Sequence, residues 1–112
     1  MKGSEATARV FLNLMLMRDY DNAYGYLGSN LRTHLSQREF NEQAKRWSSQ
    51  ERHRWDLTNR RIEVENENSV RVNPGPDDRL DSAWHWRFAR DDTGYYISYL
   101  EGGPLEFDSA GR

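Results

Sequence analysis

With 112 residues, the chain has room for one domain built on a single core. Charged side chains make up 30%, yet the net charge is only -2, which argues against a general binder of nucleic acid or anionic membrane. There is no cysteine, so disulfides, thiolate metal sites and cysteine nucleophiles are excluded.

Apolar residues account for only 36% and the mean hydropathy is -1.05, so the core must be thin. Four Trp, six Tyr and four Phe supply much of it, since each can bury roughly 150–250 Å². No apolar run approaches the roughly 18 residues of a membrane span. The N-terminus carries no signal-peptide pattern, because Glu5 and Arg9 interrupt it. The expected compartment is cytoplasmic if Met1 is the native start, and extracytoplasmic if an upstream anchor or signal has been removed.

Residues 4–18 read as an amphipathic helix, with Ala6, Val10, Leu14 and Met17 at helical spacing and Phe11 widening the stripe. Asp19 is an expected N-cap for a short second helix running to Leu27 and ended by Gly28. A further turn runs through Leu31 to Leu35. Ser36-Gln37-Arg38-Glu39 has the form of a capping box, in which serine and glutamate satisfy each other's backbone N–H groups. A helix over 37–47 should follow, burying Phe40, Ala44 and Trp47.

Beyond Glu51 the period changes to two. Ile62 and Val64 alternate with Arg61, Glu63 and Glu65, Asn66-Glu67-Asn68 turns the chain, and Val70 and Val72 alternate with Arg71. Trp55 and Leu57 have the opposite parity, which predicts either a strand start near Arg60 or an intervening bulge. The two prolines and glycine of 73–78 predict a loop, and the tail from Gly102 should fray.

The last hairpin is the most distinctive segment. With Arg90 facing Tyr95 across Asp91-Asp92-Thr93-Gly94, Phe88 should fall opposite Ile97 and Trp86 opposite Tyr99. One face then carries Trp84, Trp86, Phe88, Tyr95, Ile97 and Tyr99. The outer face of the whole sheet carries Arg61, Glu63, Glu65, Arg71, His85, Arg87, Tyr96, Ser98 and Leu100. Helices followed by two hairpins predict an α+β domain, its N-terminal helices packed on a strongly curved antiparallel sheet. The core is expected over about 5–101, with 102–112 as a tail.

Several phrases together resemble a known family. They are Ala8-Arg9-Val10-Phe11-Leu12, then Arg18-Asp19-Tyr20-Asp21-Asn22-Ala23-Tyr24, the stretch Leu27 to Leu31, and Leu35-Ser36-Gln37-Arg38-Glu39-Phe40. The closing run from Trp86 to Ile97 completes the pattern, with Tyr95 where the family usually has tryptophan. The chain is similar in this respect to nuclear transport factor 2-like domains over nearly its whole length. The resemblance implies a cystatin-like cone of sheet around helices. It points to small bacterial accessory domains of the kind found in lipoproteins and at the N-termini of some penicillin-binding proteins. The same superfamily contains isomerases, cyclases, dehydratases and epoxide hydrolases, which place an Asp or Tyr inside the cone. It also implies frequent dimerisation through the outer sheet face.

An isomerase-like site needs a carboxylate base in an apolar cavity. None of the expected inward residues can act as such a base, and Asp19, Asp21, Asp91 and Asp92 are better explained as helix-start and turn residues. Tyr20, Tyr24 and Tyr99 can donate hydrogen bonds inside a pocket, and Trp86 can line it. These four are the ligand-site candidates, weighed against ordinary core tyrosines and core packing. His34, His53 and His85 match no metal spacing, and no metal or cofactor is expected. Arg52, Arg54, Arg60 and Arg61 cluster in sequence and read as a solvated surface. The expectation is a non-enzymatic accessory, interaction or ligand-binding domain, the alternative being a small-molecule pocket enzyme working between sheet and helices. Its partner would be a protein or a small apolar ligand, and its state monomeric or weakly homodimeric.

Overall fold

The computed structural model describes residues 3–49, 60–73 and 84–101. Their order is α1 (Gly3–Leu16), α2 (Tyr20–Tyr24), α3 (Ser29–Arg32), α4 (Gln37–Ser48), β1 (Arg61–Asn66), β2 (Ser69–Asn73), β3 (Trp84–Asp91) and β4 (Gly94–Glu101). The strands form one antiparallel sheet in the order β1-β2-β3-β4, with the helices on one face. The result is an α+β domain. The sheet departs from the expected strong curvature. Among the described residues four strands contribute and carry two register shifts, so there are few points at which this ladder can bend. Asn73, expected to open the loop predicted over 73–78, still belongs to β2; residues 74–78, with Trp55, Leu57 and the tail, fall outside the described residues.

The α1 stripe differs from the expected one. Ser4, Thr7, Ala8, Phe11, Leu12 and Met15 are buried, whereas Val10 and Met17 are 39% and 70% exposed. The helix is therefore turned by about a third of a turn from the face suggested by residue type alone. Small side chains at 4, 7 and 8 let it approach the sheet closely, and the Thr7 hydroxyl is satisfied by donating to the Gly3 carbonyl at 2.8 Å. Arg18 ends the helix with φ 63°; its N–H donates to the Met15 carbonyl and that of Asp19 to the Leu14 carbonyl. This is a Schellman closure with arginine where glycine is favoured.

The second helix stops at Gly25 rather than Gly28, and Asp19 makes no side-chain cap. Its carboxylate instead accepts from Asn22 Nδ2 at 2.8 Å. Residues 26–28 leave the helix to line the edge of β4, where Ile97 N–H donates to the Tyr26 carbonyl and Gly28 N–H to the Ile97 carbonyl, at 2.7 and 2.8 Å. Gly28 is required for that approach, since a Cβ there would lie 2.8 Å from the Tyr96 ring. The capping box forms as the sequence predicts, with Ser36 Oγ accepting from Glu39 N–H at 3.2 Å and Glu39 Oε1 from Ser36 N–H at 2.9 Å. α4 buries Phe40 and Ala44 as expected, leaves Trp47 half-buried, and adds Ser48.

The β1–β2 hairpin pairs Ile62 with Val72 and Val64 with Val70, and Glu65 is a bulge before Asn66 meets Ser69. In β3–β4 the expected pairs Arg90–Tyr95 and Phe88–Ile97 form. The expected Trp86–Tyr99 pair does not, because Ser98 is an extra residue in β4 and Arg87 meets Tyr99 instead. Trp86 therefore faces Leu100, which is buried on the helix side. The bulge is stabilised by Asn30 Nδ2, which donates to the Ser98 carbonyl at 2.9 Å.

Trp86 is completely buried at the centre of the molecule. Its indole stacks on Trp84 at 5.9 Å between ring centroids and meets Phe11 edge-on at 5.6 Å. Phe11 in turn contacts Phe40, and Phe40 contacts Tyr24, so one aromatic chain ties sheet to α1, α4 and α2. Arg60, read from sequence as part of a solvated basic cluster, is buried instead. Its guanidinium lies 3.6 Å from the Trp84 ring centroid and donates to the Val72 carbonyl at 3.0 Å. A planar, weakly hydrated cation can stack on an indole where an ammonium would be costly to desolvate.

Three outcomes follow from this packing. Trp86→Ala should lose about 3–5 kcal/mol of stability in chemical denaturation, the cost of an aromatic cavity in a core. Arg18→Gly should raise stability by about 0.5–1 kcal/mol, because glycine enters the left-handed region without steric penalty. The Glu39 carboxyl is held below the usual glutamate range by its hydrogen bonds from the Ser36 backbone and side chain, and Asp91 below the aspartate range by those from Thr93. Since both folded-state values are depressed, the stabilisation is present at neutral pH and disappears as pH falls through those values. Carboxyl NMR titration should show both midpoints lowered, and Ser36→Ala should return that of Glu39 toward normal.

Candidate functional site

Strand alternation builds the outer face of the sheet in cross-strand rows. One row is Glu63, Arg71, His85 and Glu101; the next is Asn66, Ser69, Arg87 and Tyr99. Between them runs a groove of about 570 Å³, lined by Glu65, Asn66, Asn68, Ser69, His85, Trp86, Arg87, Phe88, Tyr99 and Glu101. The side chains of Trp86 and Phe88 are buried on the opposite face, so it is their main chain that floors the groove.

Both bulges shape this groove. The extra residue Glu65 brings a carboxylate toward the middle of the face, with Oε2 3.7 Å from His85 Nδ1. The extra residue Ser98 turns Tyr99 outward, and the Arg87 guanidinium lies over its ring at 5.4 Å. The tip of the first hairpin is locked to β3 where Phe88 N–H donates to the Asn68 carbonyl at 2.7 Å. Farther along the face, Glu63 is occupied by Arg71 at 3.7 Å and by Asn73 Nδ2 at 3.3 Å. Among the described residues, Arg87 and Glu101 form no ion pair. The groove thus offers two carboxylates, a guanidinium, an imidazole and a phenol on a rigid backbone floor. Glu39 and Asp91, whose carboxyls are held below their usual range by hydrogen bonds from Ser36 and Thr93, lie outside it.

A second recess of about 520 Å³ lies at the start of α1 and the tips of the hairpins, lined by Gly3, Ser4, Val64, Asn66, Glu67, Arg90 and Tyr95. It is more apolar and exposes Val64, which α1 leaves 45% accessible.

The four residues that the sequence marks for a ligand site are not brought together. Tyr20 is buried, and its hydroxyl is hydrogen-bonded to Ser48 Oγ at 2.8 Å. Ser48 Oγ itself donates to the Ala44 carbonyl. Tyr24 is half-buried and donates to the Leu35 carbonyl at 2.7 Å. Both therefore spend their hydroxyls on packing α2 against the α3–α4 connection and α4. Trp86 sits between the helices and the sheet, and Tyr99 lies on the outer face. Of the histidines, His34 is exposed after α3, His85 lines the groove, and His53 lies outside the described residues. Among the described residues no three His, Cys, Asp or Glu side chains are placed to hold a metal. No described helix is long and apolar enough to cross a membrane.

Glu65, Arg87 and Glu101 are groove residues that sequence reasoning did not single out. Parity placed Glu65 and Arg87 on the outer face, but the bulges that gather them are visible only in the paired strands. Comparison with protein-family models, with characterised proteins and with solved structures found no match to this chain.

Proposed function

We propose that the chain is a non-enzymatic interaction domain of nuclear transport factor 2-like type, which recognises a partner protein in the outer-face groove. The observation that carries this reading is the division of labour between the two faces of the sheet. The helix side is occupied by Trp84, Trp86, Phe88, Phe11 and Phe40, and the tyrosine hydroxyls there are engaged. The outer side carries an open groove lined by Arg87 and Tyr99, with the guanidinium over the phenol ring. Arginine and tyrosine are the residue types enriched at energetically important points of protein interfaces, because they combine large contact area with directional hydrogen bonds. A volume of about 570 Å³ lies within the roughly 300–1,000 Å³ range of ligand-sized sites.

The family reading has its support in where the resembling phrases fall. They occupy α1, α2, α3 with the α4 cap, and the β3–β4 hairpin, in the order expected of such a domain. The flatter sheet departs from the family's cone and draws the candidate surface from the interior to the outer face.

Selection from a random heptapeptide library on the immobilised domain tests the proposal. Enriched sequences should lose binding at least tenfold with Arg87→Ala or Tyr99→Ala, while circular dichroism and melting temperature stay near wild type. Absence of enrichment, or enrichment indifferent to both substitutions, would reject it. Binding of a small apolar ligand that perturbs NMR signals of Tyr20, Tyr24 and Phe40 would favour an interior pocket instead.

A further inference from the structure

Resting on the reading of the groove as the binding face, we infer that its occupant is a short extended peptide segment of mixed charge. It sets an acidic side chain on Arg87 and a basic one, two residues away, on Glu101. His85 is the direct cross-strand partner of Glu101 and Arg87 that of Tyr99, so Arg87 and Glu101 are diagonal neighbours. Diagonal positions on a sheet face are about 7–8 Å apart. In an extended peptide, residues i and i+2 point to the same side and are separated by roughly 6.6–6.8 Å. The two spacings match closely enough for one peptide strand to meet both charges without bending.

Charge availability selects the same ligand. Neither Arg87 nor Glu101 is consumed by an ion pair among the described residues, whereas Glu63, Arg71 and Glu65 all have charged or titratable neighbours. Glu65 reaches the His85 end of the groove, adding a second carboxylate to the half that receives the basic side chain. The Arg87 guanidinium lies over the Tyr99 ring at 5.4 Å, a contact that restricts its freedom, and an arginine fork can bind a carboxylate through two N–H donors. Asn66 and Ser69 complete the same row with neutral groups suited to a peptide main chain. A purely acidic segment would meet Glu65 and Glu101, and a purely basic one would meet Arg87. Each therefore loses to the mixed pattern by like-charge opposition, a form of discrimination that rests on repulsion as much as attraction.

The test uses acetylated, amidated and dye-labelled pentapeptides titrated into the whole chain and followed by fluorescence anisotropy. Gly-Lys-Gly-Glu-Gly should bind at least tenfold more tightly than the two versions in which glutamine replaces either charged residue. Arg87→Glu should abolish that preference and transfer it to Gly-Lys-Gly-Lys-Gly, with an unchanged circular dichroism spectrum. Equal binding of the three peptides to the wild-type chain, or an Arg87→Glu variant that behaves as wild type, would overturn the inference. If library-selected peptides still require Arg87 and Tyr99 while the lysine–glutamate peptide shows no advantage, the groove stands as the binding face and the charge pattern falls. If neither set depends on Arg87, both readings fall together.

Discussion

The packing of Trp86 against Phe11 is the interaction on which the rest of this domain depends. A sheet of four strands presents a hydrophobic face too wide to leave in water, and a mean hydropathy of -1.05 leaves few aliphatic side chains to cover it. Aromatic rings solve that shortage because each buries a large area at the cost of only two side-chain torsions. The indole of Trp86 is central in the sheet, and its edge-on contact with Phe11 sets the distance at which α1 can lie. Small residues at 4, 7 and 8 then become a requirement of close approach. From Phe11 the same contacts extend through Phe40 to Tyr24, so the short α2 is held by α4 rather than by its own five residues.

The two bulges have consequences out of proportion to their size. Each adds one residue to an edge strand and locally reverses which side chains face the helices. At Ser98 the exchange sends Leu100 inward to Trp86 and Tyr99 outward to Arg87. At Glu65 it brings an acid beside His85. A regular ladder would have left Tyr99 in the core and Leu100 on the surface, with no aromatic support under Arg87. The groove is therefore a product of irregular pairing, and the Asn30 contact to the Ser98 carbonyl links one of those irregularities to α3.

The sheet edges are handled differently at the two sides. Residues 26–28 pair with Ile97 and cover β4, while β1 carries Arg61, Glu63 and Glu65 together with its bulge. Charges and a bulge are common means of discouraging edge-to-edge association. Among the described residues, then, one edge is engaged at Ile97 and the other is blunted.

Much of this architecture is written in local patterns. The capping box at Ser36 and Glu39, the two hairpins, the Arg90–Tyr95 and Phe88–Ile97 register and the inward direction of Trp84, Trp86 and Phe88 depend on neighbours within a few positions. Alternation and turn chemistry suffice for them. The rotation of α1, the burial of Arg60 over Trp84, the end of α2 at Gly25 and the outward turn of Tyr99 depend on partners remote in sequence. Residue type placed Val10 and Met17 in the core; close packing chose Ser4, Thr7 and Ala8 instead. By itself, then, the sequence determined the elements, their order and the polarity of the aromatic strand, because these follow from hydrophobic period and hydrogen-bonding side chains. Only tertiary structure decided where the groove lies and which charges it gathers, because an extra residue in a strand costs little locally and shows itself only against the strand it pairs with.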